Sequence, residues 1–123
     1  MPKTFHYRRF VEFSDTDMAG IVHFSQFFNY MESAEHALLR SLGLSVFHTL
    51  EDGRKVSFPR VAASCEYESP AWCEDELDIA VSILRLGSKS ITCRFDLTRA
   101  EKPIASGQVT CVCCLIEEGQ PPR

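Results

Sequence analysis

Two carboxylates one residue apart, Asp15 and Asp17, lie in the run Ser14-Asp15-Thr16-Asp17-Met18-Ala19-Gly20-Ile21-Val22-His23-Phe24. A carboxylate held ahead of a helix start, with a glycine between them, combines two tools of acyl-transfer chemistry. The carboxylate can attack a carbonyl or take a proton, and the first N–H groups of a helix have no partner inside it and can receive an oxyanion. The same residue types also suit plain capping, since an Asp beside a helix N-terminus gains about 0.3–1 kcal/mol. The helical pattern, however, begins only at Phe24, and Met18 to Val22 is apolar. That segment is expected to tuck inward and carry Asp17 with it, and a buried carboxylate that caps nothing needs another task.

Glu35 is out of place in a different way. On a helical wheel it lies about 40° from Met31, inside the apolar stripe, whereas Glu32 sits on the border at about 100°. Two roles fit such a carboxylate: pairing with an Arg from a neighbouring strand, or facing a ligand as base or contact group. His23 stands immediately before the helix, placed either to shuttle a proton or to serve the local structure. Arg85, Lys89 and Arg94 surround the turn Leu86-Gly87-Ser88-Lys89, a hairpin that is either simply solvated or a phosphate site. Six cysteines raise the question of zinc around Cys111-Val112-Cys113-Cys114. A second ligand pair at recognisable spacing is missing, and Cys111 and Cys113 alternate on one face of a strand-like run, so buried reduced thiols are the better reading and no metal is expected. Neither a glycine-rich nucleotide loop nor a Gly-x-Ser-x-Gly elbow occurs.

The elements that must position these groups follow from periodicity. Lys3 to Phe13 alternates Phe5, Tyr7, Arg9, Val11 and Phe13 on one face, which predicts a strand. From Phe24 to Leu42 the period changes: Phe24, Phe27, Ala34, Leu38 and Leu42 fall within about 60° of Met31, and Gly43 supplies a stop, so a helix of about five turns is predicted. Ser45 to Lys55 reads as a helical turn and loop. Four strand-like runs follow, at Val56 to Tyr67, Glu76 to Leu86, Ser90 to Arg99 and Ile104 to Ile116, with turn residues between them. The last three are joined by short connections and form an antiparallel meander. Residues 117–123 make a polar, Pro-rich tail expected to fray. Strand, long helix and four strands have one compact solution, an α+β domain in which an antiparallel sheet wraps a single helix. Its unpaired edges favour self-association into a homodimer.

Size and composition agree with one domain over 1–123. Hydrophobic residues make up 45% and include nine Phe, enough for a core, and the net charge of −4 speaks against a general nucleic-acid partner. The N-terminus lacks the apolar region of a signal peptide and no run approaches the length of a membrane span, so the expected location is the cytoplasm.

The block Asp15-Thr16-Asp17-Met18-Ala19-Gly20-Ile21-Val22-His23-Phe24, followed by Phe27-Phe28-Asn29-Tyr30-Met31-Glu32, resembles the signature of hotdog-fold acyl-CoA thioesterases of the 4-hydroxybenzoyl-CoA thioesterase type. Pro59-Arg60-Val61, Cys65-Glu66-Tyr67, Ser69-Pro70-Ala71, Asp75-Glu76-Leu77 and the Leu86 to Ser90 turn extend the resemblance over nearly the whole chain. It implies a hotdog fold, a five-stranded antiparallel sheet around one long central helix, dimerising through sheet edges and often pairing into a dimer of dimers, with active sites at the dimer interface. It implies Asp17 as the catalytic carboxylate, the Phe24 backbone N–H as the group that polarises the thioester carbonyl, and Arg85 and Lys89 as candidates for the phosphates of coenzyme A. The substrate is then an acyl-CoA, and coenzyme A enters as part of it rather than as a cofactor. Glu32 matches an acidic position of the family. Glu35 and His23-Phe24 depart from it, leaving Glu35 and His23 as site candidates without inherited roles, His23 beside the catalytic pair and Glu35 beside Glu32 on the substrate side. Two other readings fit the same residues: a non-catalytic acyl-thioester-binding module, and a dehydratase or hydratase using His23 with Glu35.

Overall fold

The computed structural model describes residues 4–117 and residue 119, so Lys3 and most of the 117–123 tail lie outside the described residues. The five-stranded sheet contains β1 (Phe5–Phe10), β4 (Arg60–Tyr67), β5 (Glu76–Leu86), β6 (Ser90–Arg99) and β7 (Lys102–Val112), in the order β1-β5-β6-β7-β4. Every pairing in it is antiparallel. One helix, α1 (Gln26–Ser41), crosses its concave face. This is the α+β arrangement that periodicity predicts, with the helix starting two residues later than the apolar pattern does.

Core packing follows the two periods. The helix buries Phe27, Tyr30, Met31, Ala34 and Glu35. The sheet answers with Leu77, Ile79 and Val81 of β5, Cys93, Phe95 and Leu97 of β6, and Ile104, Ala105, Val109 and Cys111 of β7. Alternate residues of the same strands, such as Asp78, Arg94, Asp96 and Gln108, point to the other face. Helix and sheet pack without room for a side chain at Gly107: a Cβ there would lie 2.6 Å from Met31 Sδ and 2.7 Å from the Ser64 carbonyl oxygen. The helix closes on Gly43, whose φ of +77° turns the chain back so that the Leu44 N–H reaches the Leu39 carbonyl at 2.9 Å.

The structure corrects three expectations, one of which is the single strand Ile104 to Ile116: it divides at Cys113, whose N–H turns to the Lys89 carbonyl at 2.7 Å, and the two parts join different sheets. Residues 45–55 are not a helical turn: β2 (Phe47–Thr49) and β3 (Lys55–Ser57) form a hairpin that pairs with β8 (Cys114–Ile116) in a separate three-stranded sheet. Asp52-Gly53 is the cause, because Gly53 takes a φ of +88° and the Leu50 N–H reaches the Arg54 carbonyl at 2.7 Å, closing a strand-to-strand turn. Val56 to Tyr67 is likewise not one strand. It breaks at Phe58-Pro59, where proline has no N–H for a ladder, and the halves join different sheets.

Gly107 carries the first expected outcome. Gly107→Ala pushes a methyl group into backbone on one side and the Met31 thioether on the other, and should cost about 1–3 kcal/mol. Urea unfolding followed by circular dichroism checks this.

Candidate active site

Asp15 and Asp17 divide into two roles that residue type alone does not separate. After β1 the chain makes a short 3₁₀ turn, Phe13–Asp15, which turns the Asp15 side chain inward. Asp15 is buried, and its Oδ2 accepts the Tyr30 hydroxyl at 2.8 Å and the Glu12 N–H at 3.0 Å. Tyr30 is fully buried, with the Arg9 guanidinium 5.0 Å above its ring. Burial, and then the hydrogen bond to Asp15, raise the Tyr30 phenol well above its ordinary range, so it remains a donor.

Asp17 faces the other way. Thr16 and Val22 bridge across a tight turn in which the Asp17 N–H meets the Ile21 carbonyl at 2.8 Å and the Gly20 N–H meets the Asp17 carbonyl at 3.0 Å. Gly20 holds a φ of +86°, with the Trp72 ring 3.5 Å from where its Cβ would be. Asp17 is therefore exposed, contrary to the expectation that the apolar run would draw it inward. Val22 is buried, but the turn projects Met18, which is fully exposed at 106%. Asp17 Oδ1 accepts the Ala19 N–H at 2.8 Å, which orients the carboxylate and leaves Oδ2 free of protein donors among the described residues.

The start of the helix supplies the second group. The His23 N–H is bound to the Asp15 carbonyl at 2.9 Å, the Gln26 N–H to the His23 carbonyl at 2.9 Å, and the Phe27 N–H to the Phe24 carbonyl at 3.4 Å. The Ser25 N–H points at His23 Nδ1, 3.3 Å away, and the Ser25 hydroxyl lies 2.8 Å from the same nitrogen. Among the described residues the Phe24 N–H alone in this turn has no acceptor. Asp17, Phe24 and Phe27 line one cleft of about 450 Å³ with Ile21, Val22, Tyr67 and Pro70. Tyr67, at the end of β4, also donates its hydroxyl to the Phe24 carbonyl at 3.2 Å.

The other candidates lie elsewhere within one chain. Glu35 is buried; Arg60 reaches its Oε1 at 2.6 Å, and the Cys111 thiol lies 3.6 Å from its Oε2. Glu32 is exposed and stands 3.6 Å from the same Arg60. Glu35 thus has no free approach to His23, which is exposed at the opposite end of the helix. Arg85 and Lys89 are exposed at the β5–β6 hairpin, beside the Arg60 end of β4, about 20 Å along the strand from Tyr67. Among the described residues no cluster of three or more His, Cys, Asp or Glu side chains is placed to hold a metal ion, and no helix is long and apolar enough to cross a membrane. Cys111 and Cys93 sit in the core. Burial first and the Glu35 charge second push their thiols up to about 12 and about 11.

The sequence pattern of the thioesterase-like superfamily matches residues 11–123. A 1,4-dihydroxy-2-naphthoyl-CoA hydrolase of Synechocystis is 32% identical over 117 residues, 94% of this chain and 84% of its own. The crystal structure of a 1,4-dihydroxy-2-naphthoyl-CoA thioesterase from Synechocystis superposes with a TM-score of 0.82 at 31% identity, covering 94% of this chain and 85% of that one. A gentisyl-coenzyme A thioesterase gives 0.77 at 29% identity, over 98% and 95% of the two chains. A 4-hydroxybenzoyl-CoA thioesterase, solved with 4-hydroxybenzoyl-CoA, gives 0.81 at 18% identity over 98% and 89%, a likeness of fold. The fold is the hotdog fold of these thioesterases.

Stability should fall on the alkaline side. Cys93, Cys111 and Tyr30 all hold their protons to higher pH when folded, so the unfolded chain binds fewer protons once pH passes the ordinary thiol value of 9.0. The urea midpoint is expected to drop between about pH 9 and about pH 12, less steeply in Cys111→Ala. Tyr30→Phe leaves the buried Asp15 carboxylate one donor short and should cost about 1–3 kcal/mol at neutral pH, read from the same titration.

Proposed function

We propose that this chain, which belongs to the thioesterase-like superfamily, hydrolyses hydroxyaryl-CoA thioesters to the free acid and coenzyme A, using Asp17 and the Phe24 N–H in a site shared between two protomers. Hydrolysis of a CoA thioester is the activity of its family. The observation that carries the site assignment is that Asp17, an oriented carboxylate with one free oxygen, and Phe24, whose backbone N–H is unpaired, line the same cleft. The thioester carbonyl oxygen approaches the Phe24 N–H, and charge gathers on that oxygen as the tetrahedral intermediate forms. One such donor is typically worth about 2.7–4 kcal/mol of barrier. Asp17 Oδ2 either attacks the carbonyl carbon, giving a mixed anhydride that water then opens, or takes a proton from the attacking water. In both routes the carbonyl re-forms and the C–S bond breaks. Coenzyme A leaves as a thiolate, which is stable enough to need no strong acid beside it, and no step calls on a metal or a cofactor.

The aryl preference rests on Phe24, Phe27, Tyr67 and Pro70 lining the cleft and on the relatives, which act on dihydroxynaphthoyl and gentisyl thioesters. The dimer rests on β4. It pairs with β7 on one side only, and Val61, Ala62, Ala63 and Ser64 are all exposed. Antiparallel pairing of β4 with its own copy satisfies that edge and lays the Arg60 end of one protomer beside the Tyr67 end of the other. The Arg85–Lys89 hairpin then arrives at the cleft from the partner, where its charge meets the phosphates of coenzyme A, and Glu32 arrives with it. Two such dimers can pair further. Six free cysteines suit a reducing compartment, and the reading places the enzyme in the cytoplasm.

Asp17→Asn should leave the fold and the dimer unchanged and lower thiol release from aryl-CoA by about 10²–10⁴-fold; near-normal turnover sinks the assignment. Single turnovers in ¹⁸O-water separate the two routes, because only the anhydride route can carry the label into the Asp17 carboxylate. Replacing Arg85 and Lys89 together with Ala should raise KM for aryl-CoA about tenfold. KM for the matching N-acetylcysteamine thioester, which lacks the nucleotide, should hardly move. Equal effects on both substrates would remove these residues from the coenzyme A site.

A further inference from the structure

We propose that Tyr67 is a positioning residue for the reaction: its hydroxyl, by holding the Phe24 carbonyl, sets the direction of the Phe24 N–H that receives the oxyanion. This rests on the assignment of that N–H in the proposed mechanism. Phe24 lies between two anchors. Upstream, the His23 carbonyl, which shares a peptide with the Phe24 N–H, accepts the Gln26 N–H at 2.9 Å. Downstream, the Phe24 carbonyl takes the Tyr67 hydroxyl at 3.2 Å and, more loosely, the Phe27 N–H at 3.4 Å. A carbonyl oxygen only accepts, so the phenol is the donor. Fixing both peptides that flank Phe24 fixes its φ and ψ, and hence the line along which its N–H points.

The Gln26 and Phe27 contacts come from within a few residues of Phe24 and move with the turn. Tyr67 belongs to β4 and is separated from Phe24 by 43 residues, so it is the sheet that braces the turn. Its ring also packs edge-on against Phe27, with centroids 5.3 Å apart at 65°. Ring and hydroxyl therefore do separate jobs, and Tyr67→Phe keeps the packing while deleting the brace. Tyr67 is 46% exposed, so the loss of one oxygen leaves no buried polar group stranded except a carbonyl that still faces the Phe27 N–H.

An oxyanion donor acts mainly on the transition state, so a misdirected N–H lowers kcat and leaves KM nearly alone. For Tyr67→Phe we expect kcat for aryl-CoA to fall about tenfold with KM within about twofold of the parent. A spectroscopic readout tests the cause. In Asp17→Asn, expected to turn substrate over slowly enough for the bound thioester to be observed, the infrared stretch of its carbonyl should shift to lower frequency than in solution. Adding Tyr67→Phe should return it part of the way. A shift that is the same with and without the hydroxyl, together with unchanged kcat, overturns the role of Tyr67. No shift in Asp17→Asn itself overturns the Phe24 donor instead, and the proposal falls with it. A kcat loss with an unaltered carbonyl shift also overturns it, since the hydroxyl would then act by some route other than aiming the donor.

Discussion

The hydrogen bond from Tyr30 to the buried Asp15 carboxylate is the joint on which the site hangs. Tyr30 rides on the central helix, Asp15 closes the 3₁₀ turn after β1, and the 2.8 Å contact between them is buried. The same Asp15 accepts the Glu12 N–H through its side chain and the His23 N–H through its backbone. One residue thus ties the end of β1, the middle of the helix and the segment just before the helix start. With those three held, the turn from Asp17 to Gly20 can only project outward, and Phe24 can only sit beside it. A carboxylate buried for structure is what allows its neighbour two residues on to be exposed.

That joint in turn depends on how deeply the helix is seated. Tyr30 and Met31 are adjacent, and Met31 rests where Gly107 removes a side chain from β7. A residue larger than glycine there would lift the helix and draw the Tyr30 hydroxyl away from Asp15. Glu35 serves the same seating one turn further on, where Arg60 and the Cys111 thiol satisfy a carboxylate inside the apolar stripe. Its burial is structural within the chain. The mismatch it makes with the helical wheel marks a helix–sheet tie rather than a second reactive group.

The sequence conveyed the order of elements and the carboxylate block because both are local properties, a period of two or of 3.6 and a short run of residue types. It misjudged what depends on partners far along the chain. Asp17 was expected to be drawn inward by Met18 to Val22, yet a tight turn needs only a few residues, and Gly20 provides the one conformation that lets Met18 swing out. Asp15 and Asp17 are chemically identical, and only Tyr30, half a helix away, decides which is buried. Residues 45–55 held a hairpin signal in Asp52-Gly53, but its strands are three residues each and their third partner, β8, is some sixty residues on. Tyr67 and Phe24 leave no mark on each other in a linear reading.

What the single chain leaves exposed is as informative as what it buries. Met18, Phe24, Tyr67 and Val61 all present apolar surface, and all lie on the turn, the helix start or the edge strand that frame the cleft. A monomer gains nothing by placing a fully exposed methionine at the tip of a turn beside an open sheet edge. Covered by a second copy, the same residues would shield Asp17 from bulk water, where charge on a thioester oxygen is poorly held, and would strengthen the pull of a single N–H on that oxygen. The apolar rim, the open β4 edge and the small number of polar groups in the cleft are then consequences of one constraint. Two groups would suffice for catalysis only where water is kept away, and pairing through the β4 edge would keep it away.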